Sequence, residues 1–136
     1  MYRRLDTNVS VAGQVDPSAV AELAAAGIGM IVNNRPDGEE PGQPDSGEVE
    51  AAARSAGIAY RHIPVAGGFS EAQIEAMREA LAAADGEVLA FCKSGTRSAY
   101  LWALARARMG DEPGEIVSRG AAAGYDLRPL LPYLAR

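Results

Sequence analysis

The segment Val88 to Ser98 reads Val-Leu-Ala-Phe-Cys-Lys-Ser-Gly-Thr-Arg-Ser and gathers the residue types that nucleophilic attack on an anionic substrate requires. Cys92 ends an apolar run, and four residues separate it from Arg97. A cysteine becomes a strong nucleophile when cations and a helix N-terminus favour its thiolate. Lys93, Arg97 and a helix starting near Arg97 all act in that direction. The N–H groups of residues 93–98, with the hydroxyls of Ser94, Thr96 and Ser98, can curl into a nest for an oxyanion. Gly95 allows the loop to close tightly, and Arg97 is suited to grip two oxygens at once, which a lysine cannot copy. The competing reading makes Cys92 a small buried hydrophobe at a strand end.

Counting narrows the rest of the chemistry. Cys92, His62 and Lys93 are each the only residue of their type in 136. One cysteine excludes an internal disulfide, a CxxC redox pair and a cysteine-cluster metal site within one chain, and one histidine excludes a His/His pair. No metal or cofactor is expected. The 13 basic residues against 18 acidic ones leave a net charge of −5, which argues against nucleic acid as a partner. Residues 99–105 form the longest apolar run, far short of a membrane span. The opening MYRRLDTNVSV lacks the apolar stretch of a secretory signal, so a cytoplasmic location is expected.

The elements that must position Cys92 alternate between short apolar runs and alanine-rich stretches, which predicts one α/β domain with a mainly parallel sheet over residues 1–136. Val9 to Ala12 is expected as the first strand. Asp16-Pro17 offers a cap and first turn for a helix ending at Gly27. Ile28 to Asn33 reads as a buried strand. Arg35 to Gly47, with three prolines and three glycines, reads as a long loop of the kind that often carries function. A helix through Val49 and Ala53 stops at Gly57, and Ile58 to Val65 is the next strand. Ser70 and Gln73 form a capping box for a third helix. Val88 to Phe91 is the strand leading into Cys92, and Ser98 to Met109 is a helix apolar on most sides, with Tyr100 and Trp102 read as core. A last full helix spans Glu115 to Ala123, followed by a tail with at most a short helical turn.

Cys-x-x-Gly-x-Arg-Ser after an apolar strand resembles the active loop shared, in variants, by protein tyrosine phosphatases and rhodaneses. With SVAGQV (Ser10 to Val15), IVNNRPDGEEPGQP (Ile31 to Pro44) and YRHIPV (Tyr60 to Val65), it resembles the phosphatase-like domain of beta-lactamase-hydrolase-like proteins. The resemblance implies a dual-specificity-phosphatase-like fold, a parallel sheet flanked by helices. It implies either phosphatase-like activity or sulfur transfer in sulfide metabolism, and it brings in a sulfide-oxidising enzyme as a candidate partner.

Two departures separate those chemistries. Tyrosine phosphatases place five residues between cysteine and arginine, whereas the four found here are typical of rhodanese-like sulfurtransferases. Hydrolysis of a phosphomonoester also needs a general acid for the leaving alkoxide. Many small phosphatases carry it after the strand equivalent to YRHIPV, where this chain continues Ala66-Gly67-Gly68-Phe69. Asp37 is the best substitute, with Glu39, Glu40 and Glu71 behind it, although Pro-Asp-Gly is also a turn sequence. Arg35 is expected at the same sheet edge as Cys92, as a second contact to an anion, and His62 as a structural histidine. The leading expectation is sulfane-sulfur transfer through a Cys92 persulfide, from a small oxyanion or a persulfide. Hydrolysis through a phosphocysteine and a non-catalytic oxyanion-binding module stand as the alternatives.

Overall fold

The computed structural model describes residues 2–135. Five strands, β1 (Tyr2–Arg4), β2 (Val9–Ala12), β3 (Ile28–Asn33), β4 (Ala59–His62) and β5 (Glu87–Phe91), form one sheet in the order β1-β2-β5-β3-β4. All neighbours pair in parallel except β1 with β2. The strand that delivers Cys92 is therefore central, with a partner on each side. Its nearly continuous apolar run fits a strand covered on both faces.

Helices α1 (Val20–Ala25) and α2 (Ser46–Ala56) cover one face, where Val20, Ile31, Val49, Leu89 and Phe91 are buried together. On the other face lie α3 (Glu71–Ala83), α4 (Thr96–Arg108), α5 (Pro113–Ala122) and the short α6 (Leu131–Leu134). The larger core there is built around Trp102, Leu101, Met77, Ile116 and Leu127. The result is the expected α/β sandwich. Among the described residues no helix is long and apolar enough to cross a membrane.

Several boundaries differ from the sequence expectation for identifiable reasons. A strand precedes Val9: Tyr2–Arg4 is exposed and carries no apolar alternation, but it pairs back through a turn in which the Asp6 carboxylate accepts the N–H groups of Asn8 and Val9. The long loop stops earlier than Gly47, because Asp45 caps α2 by accepting from Glu48 N. Strand β4 ends at His62 rather than Val65. Ile63 and Val65 still donate to the carbonyls of Asn33 and Asn34, but Pro64 between them has no N–H to give. Pro113 starts α5 two residues ahead of Glu115. Tyr100 is half-buried against Phe69 rather than fully in the core. The capping box of Ser70 and Gln73 is present as expected.

Candidate active site

The three central strands end together and fix the backbone around Cys92. Cys92 N donates to Ala12 O, and Asn34 N donates to Phe91 O, so the exits of β2, β5 and β3 are tied to one another. Gly13 stands where the chain leaves β2. A β-carbon there would lie 2.9 Å from the Lys93 carbonyl oxygen, so only glycine admits the loop at this distance. Gly95 adopts a left-handed conformation (φ 92°), caps α4 and turns its N–H onto the Cys92 sulfur, 3.1 Å away. The turn thus aims a backbone donor and the positive end of a 13-residue helix at Sγ.

The loop side chains occupy different surroundings. Cys92 is fully buried, whereas Lys93, Ser94 and Thr96 are exposed. Ser94 Oγ donates to Thr96 Oγ1 at 3.2 Å. Arg97 donates from Nη1 and Nη2 to the two oxygens of Glu39, at 2.8 and 2.9 Å, and from Nη1 to the Val65 carbonyl at 2.7 Å. These bonds hold the guanidinium by one edge and restrict its rotation. The Glu39 hydrogen bond raises the basicity of Arg97, burial opposes it, and the neighbouring Cys92 adds to it.

Glu39 joins this arginine to a second one. Arg35 is only 2% exposed, and all three of its side-chain nitrogens are engaged: Nε with Glu39, Nη1 with Gln14 Oε1 and Nη2 with Glu40. Its backbone is held as well, N by Asn33 Oδ1 and the carbonyl by His62 Nε2. Arg35 therefore reaches the expected sheet edge, but as a buried brace that acts through Glu39. His62 is structural, as expected. Glu39 is held as a carboxylate down to about 2, mainly by Arg97 and, against burial, also by Arg35. Glu40 is lowered too, first by its bond to Arg35 and then by Lys93, whose Nζ lies 3.8 Å from it.

Asp37 is placed elsewhere. Its two oxygens accept from Ser46 N and Ser46 Oγ, at 2.7 and 2.8 Å, joining the loop to the start of α2. Glu71 is paired with Arg108. Ser98 is fully buried and its hydroxyl donates to Asn34 Oδ1 at 2.8 Å, so its hydrogen is committed to that amide. Asn34 in turn donates from Nδ2 to Ile63 O. The structure thus assembles Cys92, Gly95 and Arg97 as the sequence implied. It adds Glu39, Gly13, Gln14, Asn33, Asn34 and Tyr125, to which no role had been given beyond Glu39's place among the reserve acids. Tyr125 arrives from the far end of the chain and donates to Ser94 O over 3.4 Å.

The chain is similar over nearly its full length to known proteins. It is 40% identical over 134 residues to the beta-lactamase hydrolase-like protein of Xylella fastidiosa, covering 97% of this chain. It spans 31% of the length of the curated relatives it matches. A solved structure from Neisseria meningitidis, provisionally named a phosphatase, is 32% identical and superposes with a TM-score of 0.82, covering 98% of this chain and 95% of that one. Kinase associated phosphatase, solved with serine in place of its catalytic-site cysteine, matches at 17% identity with a TM-score of 0.73, covering 98% of this chain and 90% of that one. That second likeness concerns the fold alone, which is of the dual-specificity phosphatase type. The family model describing the phosphatase-like domain of beta-lactamase hydrolase-like proteins matches residues 1–109, the stretch that holds the Cys92 loop, the Glu39 loop and all five strands. This chain therefore belongs to that family of phosphatase-like domains.

Proposed function

We propose that the protein transfers sulfane sulfur through a persulfide on Cys92. The observation that supports this most is the state of the carboxylates in the candidate site. Glu39 is clamped between Arg97 and Arg35 as a carboxylate, and Asp37 accepts two bonds from Ser46. Neither is set up to give a proton to a leaving alkoxide, which hydrolysis of an alkyl phosphomonoester needs. Sulfur transfer from thiosulfate makes no such demand.

In the first step the Cys92 thiolate attacks the outer sulfur of thiosulfate. An S–S bond forms to Cys92, the bond to the sulfite sulfur breaks, and sulfite leaves with the electron pair as a dianion. The product is the Cys92 persulfide anion. In the second step an external thiolate attacks the outer sulfur, taking it as a new persulfide and returning the Cys92 thiolate. No proton is moved in either step. The Gly95 N–H and the helix N-terminus stabilise charge on Sγ, and the edge of Arg97 not held by Glu39 serves the departing oxyanion. Cys92 is fully buried, so the donor reaches it only after side chains around the loop yield.

The second reading, hydrolysis through a phosphocysteine, is favoured by the phosphatase-like neighbours. The two are separated by steady-state rates on the same preparation: thiosulfate with an external thiol as acceptor, against an aryl phosphate. Sulfur transfer that exceeds aryl phosphate hydrolysis and vanishes in Cys92→Ser supports the proposal. Phosphate release with no sulfur transfer overturns it.

A further inference from the structure

Three cations stand at the candidate site, Arg35, Lys93 and Arg97, and two carboxylates of the same loop face them. Glu39 bridges Arg35 and Arg97, and Glu40 bridges Arg35 (2.9 Å) and Lys93 (3.8 Å). One unit of positive charge remains, and a Cys92 thiolate would cancel it. An anion entering the loop then meets the N–H groups, the helix dipole and the free edge of Arg97, without a net surplus of cationic charge. The Lys93–Glu40 contact is solvent-exposed on both sides (62% and 47%), so it contributes little to stability. Its consequence is for the local potential. Lys93 neighbours the nucleophile, and its charge is offset by a residue 53 positions away.

We propose that Glu40, by offsetting the charges of Lys93 and Arg35 beside the Cys92 loop, holds down the site's selectivity for doubly charged over singly charged anions. Glu40 is thus a specificity-determining residue that touches no reacting atom. The proposal rests on the reading of the Cys92 loop as the anion-binding site, but not on which group is transferred. A hydropersulfide anion carries one charge, whereas thiosulfate and a phosphomonoester dianion carry two. The loop as built narrows the advantage that charge alone would give the last two.

Sulfate and methyl sulfate test this directly, because they share a tetrahedral head and differ by one charge. Their affinities can be read from the amide NMR shifts of Gly95 and Thr96 in the wild type, in E40Q and in K93M/E40Q. Glutamine keeps an oxygen for Arg35 and removes only the charge. Coulomb's law in a water-like dielectric gives about threefold per unit of anion charge for a carboxylate on the order of 6 Å away, so E40Q is expected to tighten sulfate about tenfold and methyl sulfate about threefold at low salt. Selectivity for the dianion then rises about threefold, the rise shrinks with added salt, and K93M/E40Q returns it to the wild-type ratio. Unchanged selectivity in E40Q, with both anions still bound at the loop, overturns the proposal alone. Failure of both anions to move the loop amides in any of the three proteins overturns the anion-site reading, and this proposal with it.

Discussion

Gly95→Ala tests the local architecture of the loop most severely. Its backbone sits at φ 92°, and a β-carbon there would lie 2.3 Å from the Tyr125 hydroxyl oxygen, 3.2 Å from Tyr125 Cζ and 3.4 Å from Ala12 O. Two penalties follow. The left-handed backbone costs an alanine about 1–2 kcal/mol, and forcing the half-buried Tyr125 aside costs about 1–3 kcal/mol as an overpacking term. The substitution should therefore destabilise the protein by about 2–5 kcal/mol in urea unfolding. Tyr125→Phe alone should cost under about 1 kcal/mol, because the bond it removes is long at 3.4 Å. In the double variant the oxygen contact is gone but the backbone penalty stays, so about 1–2 kcal/mol of the loss should be recovered. Sulfur transfer should fall in Gly95→Ala and return only partly in the double variant, since the Gly95 N–H is aimed at Sγ by the same backbone angle. A Gly95→Ala protein within about 0.5 kcal/mol of wild type, or a double variant no better than the single, would refute the packing argument.

Three further outcomes are expected. The carboxyl of Glu39 is depressed to about 2 against 4.5 unperturbed, so its contribution to stability is present above pH 4.5 and is lost as pH falls towards 2. The unfolding free energy from urea titrations should decline through that window by about 1–2 kcal/mol more in wild type than in Glu39→Gln, and parallel declines would count against the clamp. Ser98→Ala leaves the buried Asn34 Oδ1 without its hydroxyl donor and should cost about 1–3 kcal/mol of stability while sulfur transfer by the folded protein stays within a few-fold of wild type. A rate collapse in a stable Ser98→Ala protein would assign the hydroxyl to the chemistry. Asp37→Asn weakens the bonds to Ser46 and should leave both the transfer rate and its pH profile unchanged, whereas loss of one limb of that profile would restore Asp37 as a proton donor.

What could be read from the sequence was local, and what could not was long-range. Cys92, Gly95 and Arg97 lie within six positions, so a strand, a tight turn and a helix start were enough to place them together. The choice among the loop carboxylates was different. Asp37, Glu39 and Glu40 fall within four residues, and the left-handed turns at Gly38 and Gly42 decide which of them faces the arginines. Arg35 has the look of a surface residue in sequence, and its burial depends on Gln14, Glu39 and Glu40 arriving from two separate segments. Asn33 and Asn34 did carry a signal, two amides at the end of an apolar strand, although nothing local says that they hold Arg35 and Ser98. Gly13 and Tyr125 matter through contacts with residues 80 and 31 positions away, which no short motif encodes. The exposed strand Tyr2–Arg4 escaped for a related reason: an edge strand with no buried face has no periodicity to betray it.

The most direct test of the central claim is the mass of the protein itself after one turnover's worth of donor. Reduced wild-type protein mixed with thiosulfate, without an acceptor, should gain the mass of one sulfur atom. Peptide mapping should locate it on Cys92, an added thiol should remove it, and Cys92→Ser should never acquire it. A phosphoryl adduct on Cys92 after an aryl phosphate, with no sulfur adduct after thiosulfate, would contradict the account.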